Sequence, residues 1–394
     1  MVACLALAWV AAPALSSQPY MPGGVDFEQA LGEVRPAAGL AVGKRIRGTA
    51  RLGTGSVSFR SAPITAPERF DLVGLAGELR PLELRARDSG GEWSAWVEAE
   101  DGNPVYFGGA DEVQLRARGW RPAGTLHYVN VSGTTSTAEG LLTGARQAIN
   151  TAFIAAGSVL NPAAQAAPPR PKIVTRGAWG ATLRQGGCPP REAPSYGMVK
   201  AGVIHHTVTA NDYTEAEAPG VVLGICRYHR NANGWNDIGY QALVDRFGNL
   251  YAGRAGGIRK AVVGAQAQGF NELTTAISSI GTHTKEAPTA VTQTAIVDYL
   301  AWKLAAHDLT ATGRTTMTSA GGDLSRFPAG RRVRLNKVIG HGTIGYTACP
   351  GDALAPLVPS LRRRIQARIV EYGGVNPPPP TPPPTPPGGG IEPR

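Results

Sequence analysis

The chain has 394 residues, 42% hydrophobic and 17% charged, with 51 glycines and 32 prolines. At roughly 100 to 200 residues per domain it holds two to three domains, which excludes a single small module, and the apolar fraction excludes wholesale disorder. Four cysteines are too few for a disulfide scaffold, no apolar run reaches the roughly 18 residues of a spanning helix, and a net charge of +10 implies an anionic partner.

Residues 1–17, MVACLALAWVAAPALSS, form a short apolar stretch ending in small residues, the pattern of a secretory signal without its basic start. Export is therefore expected, and Cys4 leaves with the signal. Residues 25–133 change to short runs such as FDLVGL, LELRAR and EVQLRAR, separated by turn residues. Val113, Leu115 and Ala117 alternate with Gln114, Arg116 and Arg118, as in half-buried strands. An antiparallel all-β, sandwich-like domain is expected here, with no grouping of acids, histidines or nucleophiles that forms a site. Its Trp93, Trp96 and Trp120 suit either sugar stacking or a core. Residues 134–170 lose the pattern and end in AAQAAPPRPK, a linker, and residues 373–394 are a proline-rich tail.

Between them, residues 171–372 alternate strand-like and helix-like segments, so the predicted class is α/β, a mixed sheet flanked by helices. VKAGVIHHTV reads as a strand, APGVVLGICRYHRN as a helix, and YQALVDRFGNLYAGR as a hairpin turning at Phe247, Gly248 and Asn249. Val291, Ala295, Tyr299, Trp302 and Ala306 recur at steps of three or four, one face of an amphipathic helix. LNKVIGH is a further strand, and Asp352 to Ile369 a last helix carrying Arg362, Arg363 and Arg364 on its later turns. This region holds 23 lysines and arginines against 13 acids, while the remainder balances at 16 against 16. Nucleic acid, an acidic membrane or a wall rich in carboxylate and phosphate each fits that excess, and charge alone leaves the partner open. Aromatics are not interleaved with the basic residues, which weighs against single-stranded nucleic acid.

The histidines and cysteines of this region carry the chemistry. His205 and His206 are adjacent on a strand and point to opposite faces, so one of them faces a given site. His341 ends the VIGH strand, and Cys349 follows in a turn-rich return able to bring its sulfur back to the imidazole. Such a set suits a zinc hydrolase, which uses three protein ligands and one open position, or a cysteine hydrolase with a histidine base. Spacing leaves both open.

Five motifs in order point further: RGAWGA (Arg176 to Ala181), VIHHT (Val203 to Thr207), NGWNDIGYQALVDRFGNLYAGR (Asn233 to Arg254), VGAQAQGFN (Val263 to Asn271) and VIGHGTIGYTACPGDAL (Val338 to Leu354). With them residues 171–370 resemble the peptidoglycan recognition protein and type 2 N-acetylmuramoyl-L-alanine amidase family. The β region and linker resemble, more weakly, the N-terminal part of secreted actinobacterial members. The resemblance implies zinc on His205, His341 and Cys349, with Tyr240 near the reacting amide and Thr347 beside its carbonyl. It implies cleavage of the amide between N-acetylmuramic acid and L-alanine, with a non-catalytic wall-recognition module as the alternative. Arg254, Gln266 and Trp235 are the expected substrate contacts, Gln266 standing where the family has histidine.

The implied partners are peptidoglycan and anionic wall polymers, not nucleic acid, and a monomer without a stable membrane span is expected. In an exported protein Cys188 and Cys226 are expected to form a disulfide, stabilising by about 3 to 4 kcal/mol in the loop-entropy picture. The rival reading is a second metal site using Cys226 and His229 on one helix face.

Overall fold

The computed structural model describes residues 25–32, 59–78, 80, 82–100, 102–133 and 168–373. The signal-like segment 1–17, most of the expected linker and the proline-rich residues from 374 onward lie outside the described residues.

The N-terminal strands are β1 (Asp26–Leu31), β2 (Phe59–Arg60), β3 (Ile64–Leu75), β4 (Leu82–Arg87), β5 (Val97–Ala99), β6 (Val105–Ala117) and β7 (Gly124–Val129). They form one antiparallel ladder in the order β1-β7-β3-β6-β4-β5, with β2 also pairing to β6. Alternation decides the buried face: Leu82, Leu84 and Ala86 of β4 are buried, while Glu83, Arg85 and Arg87 are partly exposed. Leu82 and Leu84 share a buried cluster with Leu126 and Tyr128 of β7, three places away in the ladder, so the sheet wraps its own core. Trp93, Trp96 and Trp120 are half-buried. Guanidinium groups cover their rings, Arg87 at 4.4 Å over Trp93, Arg116 at 4.4 Å over Trp96 and Arg80 at 3.9 Å over Trp120.

The second sheet contains β8 (Ile173–Val174), β9 (Ala201–His206), β10 (Ala242–Val244), β11 (Leu250–Ala252), β12 (Thr274–Ser279) and β15 (Val338–Gly340). Its order is β15-β9-β12-β10-β11-β8. Strand β9 runs parallel to both neighbours and all six of its residues are buried, which is why its sequence is a run rather than an alternation. Helix α1 (Ala218–Asn231) packs on one face, in a cluster with Leu243 and Ala276. Helices α2 (Ala290–Ala305) and α3 (Val358–Glu371) pack on the other, against Ile204, Ala242, Val244 and Ile277. A separate ribbon pairs β13 (Arg314–Thr318) with β14 (Arg332–Asn336).

Several local expectations change. The stripe placed on α2 holds at Ala295, Tyr299 and Trp302, but Val291 is 53% exposed and the buried surface continues through Ile296, Leu300 and Leu304. Packing against both the sheet and α3 broadens the apolar face beyond one stripe. LNKVIGH is not one strand: the chain leaves the ribbon after Asn336 and enters the main sheet at Val338. The last helix begins at Val358 after a 3₁₀ turn, so Arg362 to Arg364 lie mid-helix, where Arg362 donates to the Val338 carbonyl at 2.7 Å.

The two sheets meet across α1. Leu72, Tyr106, Val129 and Val131 of the N-terminal region belong to the same buried cluster as Val221, Ile225 and Tyr228. The approach is close enough that a Cβ on Gly224 would overlap Leu72, and one on Gly74 would overlap the Tyr228 ring. At the rim, Arg227 Nε donates to Asp26 at 2.8 Å, and Asn231 also bonds that carboxylate.

Candidate metal centre

Register brings the first two candidate ligands together. Gly340 pairs with Ile204 in the parallel β15–β9 ladder, so His341 and His205 emerge side by side at the carboxyl edge of the sheet, where open α/β sheets place their sites. Their rings lie 4.5 Å apart. The chain after His341 makes one 3₁₀ turn and returns, with the Gly342 N–H on the Cys349 carbonyl at 2.7 Å. This return sets Cys349 Sγ 3.6 Å from His205 Nδ1 and on the His206 N–H at 3.4 Å. One donor atom from each of His205, His341 and Cys349 lies within 4.8 Å of the other two.

A chain of hydrogen bonds orients His205. Thr274 Oγ1 donates to the Phe270 carbonyl at 2.9 Å, so it accepts from the Gln266 amide at 2.9 Å, and Gln266 Oε1 accepts from His205 Nε2 at 2.7 Å. The proton therefore sits on Nε2, and the Nδ1 lone pair faces the sulfur. Burial, reinforced by neighbouring His341, holds His205 well below the usual imidazole range, so it is neutral. Gln266, expected as a substrate contact, is buried with its carboxamide committed to His205 and Thr274.

The Tyr240 ring stands 5.3 Å from that of His205. Thr347 Oγ1 accepts the Cys349 N–H at 3.0 Å, which fixes the turn carrying the sulfur. Trp235 packs on His229 with ring centres 4.6 Å apart, and Arg254 donates to the Ile238 carbonyl at 3.1 Å. These two residues surround His229 and Tyr240 rather than the three donor atoms.

Cys188 and Cys226 are joined by a disulfide with their Cα atoms 6.2 Å apart. The second-metal reading of Cys226 and His229 fails: the sulfur is in that bond, and both nitrogens of His229 are engaged. Its Nδ1 accepts the Gly239 N–H at 3.2 Å and its Nε2 donates to Asn103 Oδ1 at 3.0 Å.

Sequence reasoning missed residues that arrive from the N-terminal sheet. Asn103 Oδ1 also accepts from the Tyr240 hydroxyl at 3.0 Å, and the Gly102 carbonyl accepts from Asn233 at 2.8 Å. His206 Nδ1 accepts the His283 N–H, so its Nε2 donates to Glu100 at 3.2 Å, and the Ala348 N–H points to the other Glu100 oxygen at 3.4 Å. Glu100 and Asn103 of the β region thus border the candidate centre. The Gly-Asn-Pro turn marks a loop in sequence, but not the helix it docks on.

The donor set fits zinc. Zinc with sulfur at about 2.3 Å and nitrogen at about 2.0 Å sets its ligand atoms roughly 3.3 to 3.8 Å apart, in the range of the 3.6 Å separation of His205 and Cys349.

Comparison with known proteins places this geometry. The family model for N-acetylmuramoyl-L-alanine amidase (Amidase_2) matches residues 195–352. Peptidoglycan-recognition protein LE of Drosophila melanogaster is 36% identical over 118 residues, 30% of this chain and 32% of that protein. Peptidoglycan-recognition protein SC2 of the same species is 30% identical over 150 residues, 38% of this chain and 66% of that protein. The chain thus spans about a third to just under two thirds of the length of these curated relatives. Among solved structures, peptidoglycan recognition protein LE in complex with tracheal cytotoxin is similar at 27% identity and a TM-score of 0.37, over 48% of this chain and 92% of that one. Residues 195–352 thus match the family model of the N-acetylmuramoyl-L-alanine amidases, and part of the chain is similar in sequence to peptidoglycan-recognition proteins.

Proposed function

We propose that this protein is a secreted, zinc-dependent N-acetylmuramoyl-L-alanine amidase that hydrolyses the amide between N-acetylmuramic acid and L-alanine of peptidoglycan. Residues 171–372 are its catalytic domain and residues 25–133 an accessory domain joined by the 134–170 linker. The observation that carries the reading is the convergence of two imidazoles and a thiol on one point at the sheet edge. A module that only binds wall fragments has no need of this donor set.

His205, His341 and Cys349 would hold zinc, and Gln266 keeps His205 in the tautomer that offers Nδ1. Bound there, zinc supplies Lewis acidity toward the amide carbonyl and toward water. Tyr240 donates its hydroxyl hydrogen to the carbonyl oxygen as charge develops, and the proton that the attacking water loses is relayed through it to the leaving amine, so that the tyrosine ends neutral. Thr347 is the second donor, each worth about 3 kcal/mol when well placed. Trp235 and Arg254 line the peptide side of the groove. The basic excess of residues 171–372 fits anionic wall polymers rather than nucleic acid, and the protein acts as a monomer. The disulfide and the signal-like start support export. Among the described residues no helix is long and apolar enough to cross a membrane.

Mass spectrometry of soluble muramyl peptides and purified sacculi treated with the zinc-loaded full chain tests this. The expected products are stem peptides with a free L-alanine amine, abolished by chelator and restored by zinc. Unchanged substrate, or cleavage confined to glycan bonds or cross-links, contradicts it. Release that resists chelator but is lost on thiol alkylation assigns Cys349 as a nucleophile instead.

A further inference from the structure

His205, Cys349, Tyr240, Thr347 and His341 are buried, each exposing between 1% and 8% of its surface. Part of the cover comes from the connection between β5 and β6. Asn103 Oδ1 takes hydrogen bonds from both Tyr240 and His229 at 3.0 Å, and its own amide donates to the Glu100 carbonyl at 3.3 Å. The Glu100 carboxylate meets His206 and the Ala348 N–H, on the turn between Thr347 and Cys349. Gly102 is tied to Asn233, just beyond the end of α1.

The chemistry of this cover is specific. A carboxamide oxygen sits on the tyrosine hydroxyl that the proposed reaction assigns to an amide carbonyl, and a carboxylate sits against the turn that carries the sulfur. These are the groups an acidic peptide with a scissile amide would present. We propose that the β5–β6 connection, through Glu100 and Asn103, is an internal substrate mimic that occupies the groove and must be displaced before a muramyl peptide can bind. The inference rests on the proposed amidase reading for the identity of that peptide. It also means that the N-terminal sheet regulates the centre as well as packing beside it.

Displacing the loop breaks the two hydrogen bonds to Asn103, so removing them should strengthen ligand binding about tenfold or more. The test measures the dissociation constant of a soluble muramyl tripeptide for the full chain in a Cys349→Ser background, where the ligand set is broken and turnover does not interfere. The same comparison is made for kcat/KM in zinc-loaded protein. Asn103→Ala is expected to bind about tenfold more tightly and to raise kcat/KM by a similar factor. Asn233→Ala, which cuts the Gly102 anchor without touching Asn103, is expected to act in the same direction and covers the case in which the first variant fails to fold. Binding equal to or weaker than that of the parent, in variants with unchanged thermal unfolding, overturns the mimic and makes Asn103 an ordinary wall of the groove. Tighter binding without product release in any zinc-loaded protein supports the mimic and removes the amidase reading, so the two failures are distinguishable.

Discussion

Gln266 decides which nitrogen of His205 faces Cys349. Its oxygen must accept because its amide donates to Thr274, and Thr274 must accept because its own hydroxyl hydrogen is spent on the Phe270 carbonyl. Such outer partners of ligating histidines contribute on the order of 10- to 100-fold in metal affinity. Gln266→Ala is therefore expected to weaken zinc binding by about that factor, measured by competition with a chromogenic chelator. Unchanged affinity would show that the chain of bonds does not orient the ligand. The family resemblance points to His205, His341 and Cys349 as ligands, where spacing by itself leaves a zinc and a cysteine hydrolase open. Neither exposes the role of Gln266, which is 61 residues from His205 and reads as a groove residue until the fold brings the two together.

Among the elements, α1 is where sequence and structure agree most closely and diverge most instructively. Its limits, Ala218–Asn231, are those of the segment APGVVLGICRYHRN. Its burial is not that of a surface helix, because one side faces the sheet and the other meets the N-terminal strands. His229 sits in its last turn. Burial, with the Arg254 charge adding to it, lowers the imidazole from an ordinary 6.5 to about 3. The folded protein thus keeps His229 neutral, while the unfolded chain takes up a proton below about pH 6.5. The stability contributed is fully present above that pH and is lost as pH falls toward 3, on the order of a few kcal/mol in total. Thermal unfolding of the wild type between pH 7 and 4 should fall more steeply than that of His229→Gln. Identical slopes would mean that His229 titrates alike in both states. The broken LNKVIGH segment has a related lesson: a run of strand formers does not say that Asn336 and Val338 belong to different sheets, because pairing partners far along the chain decide it.

For the whole molecule, the alternation of residues 25–133 and the αβ order of residues 171–372 made both architectures legible. The docking between them was not. It depends on Gly74 and Gly224 letting Tyr228 and Leu72 approach, and on Asp26 meeting Arg227 and Asn231, contacts between segments some 150 to 200 residues apart that follow no local pattern. That docking sets Glu100 and Asn103 beside a centre built at the edge of the other sheet, so access and chemistry belong to different parts of the chain. We propose that zinc held by His205, His341 and Cys349 completes that centre. Elemental analysis of the purified full chain, after zinc loading and removal of free metal, tests the claim most directly. One zinc per chain, lost in both His205→Ala and Cys349→Ser, is the predicted result; no stoichiometric zinc in the wild type, or zinc retained undiminished in both variants, would contradict it.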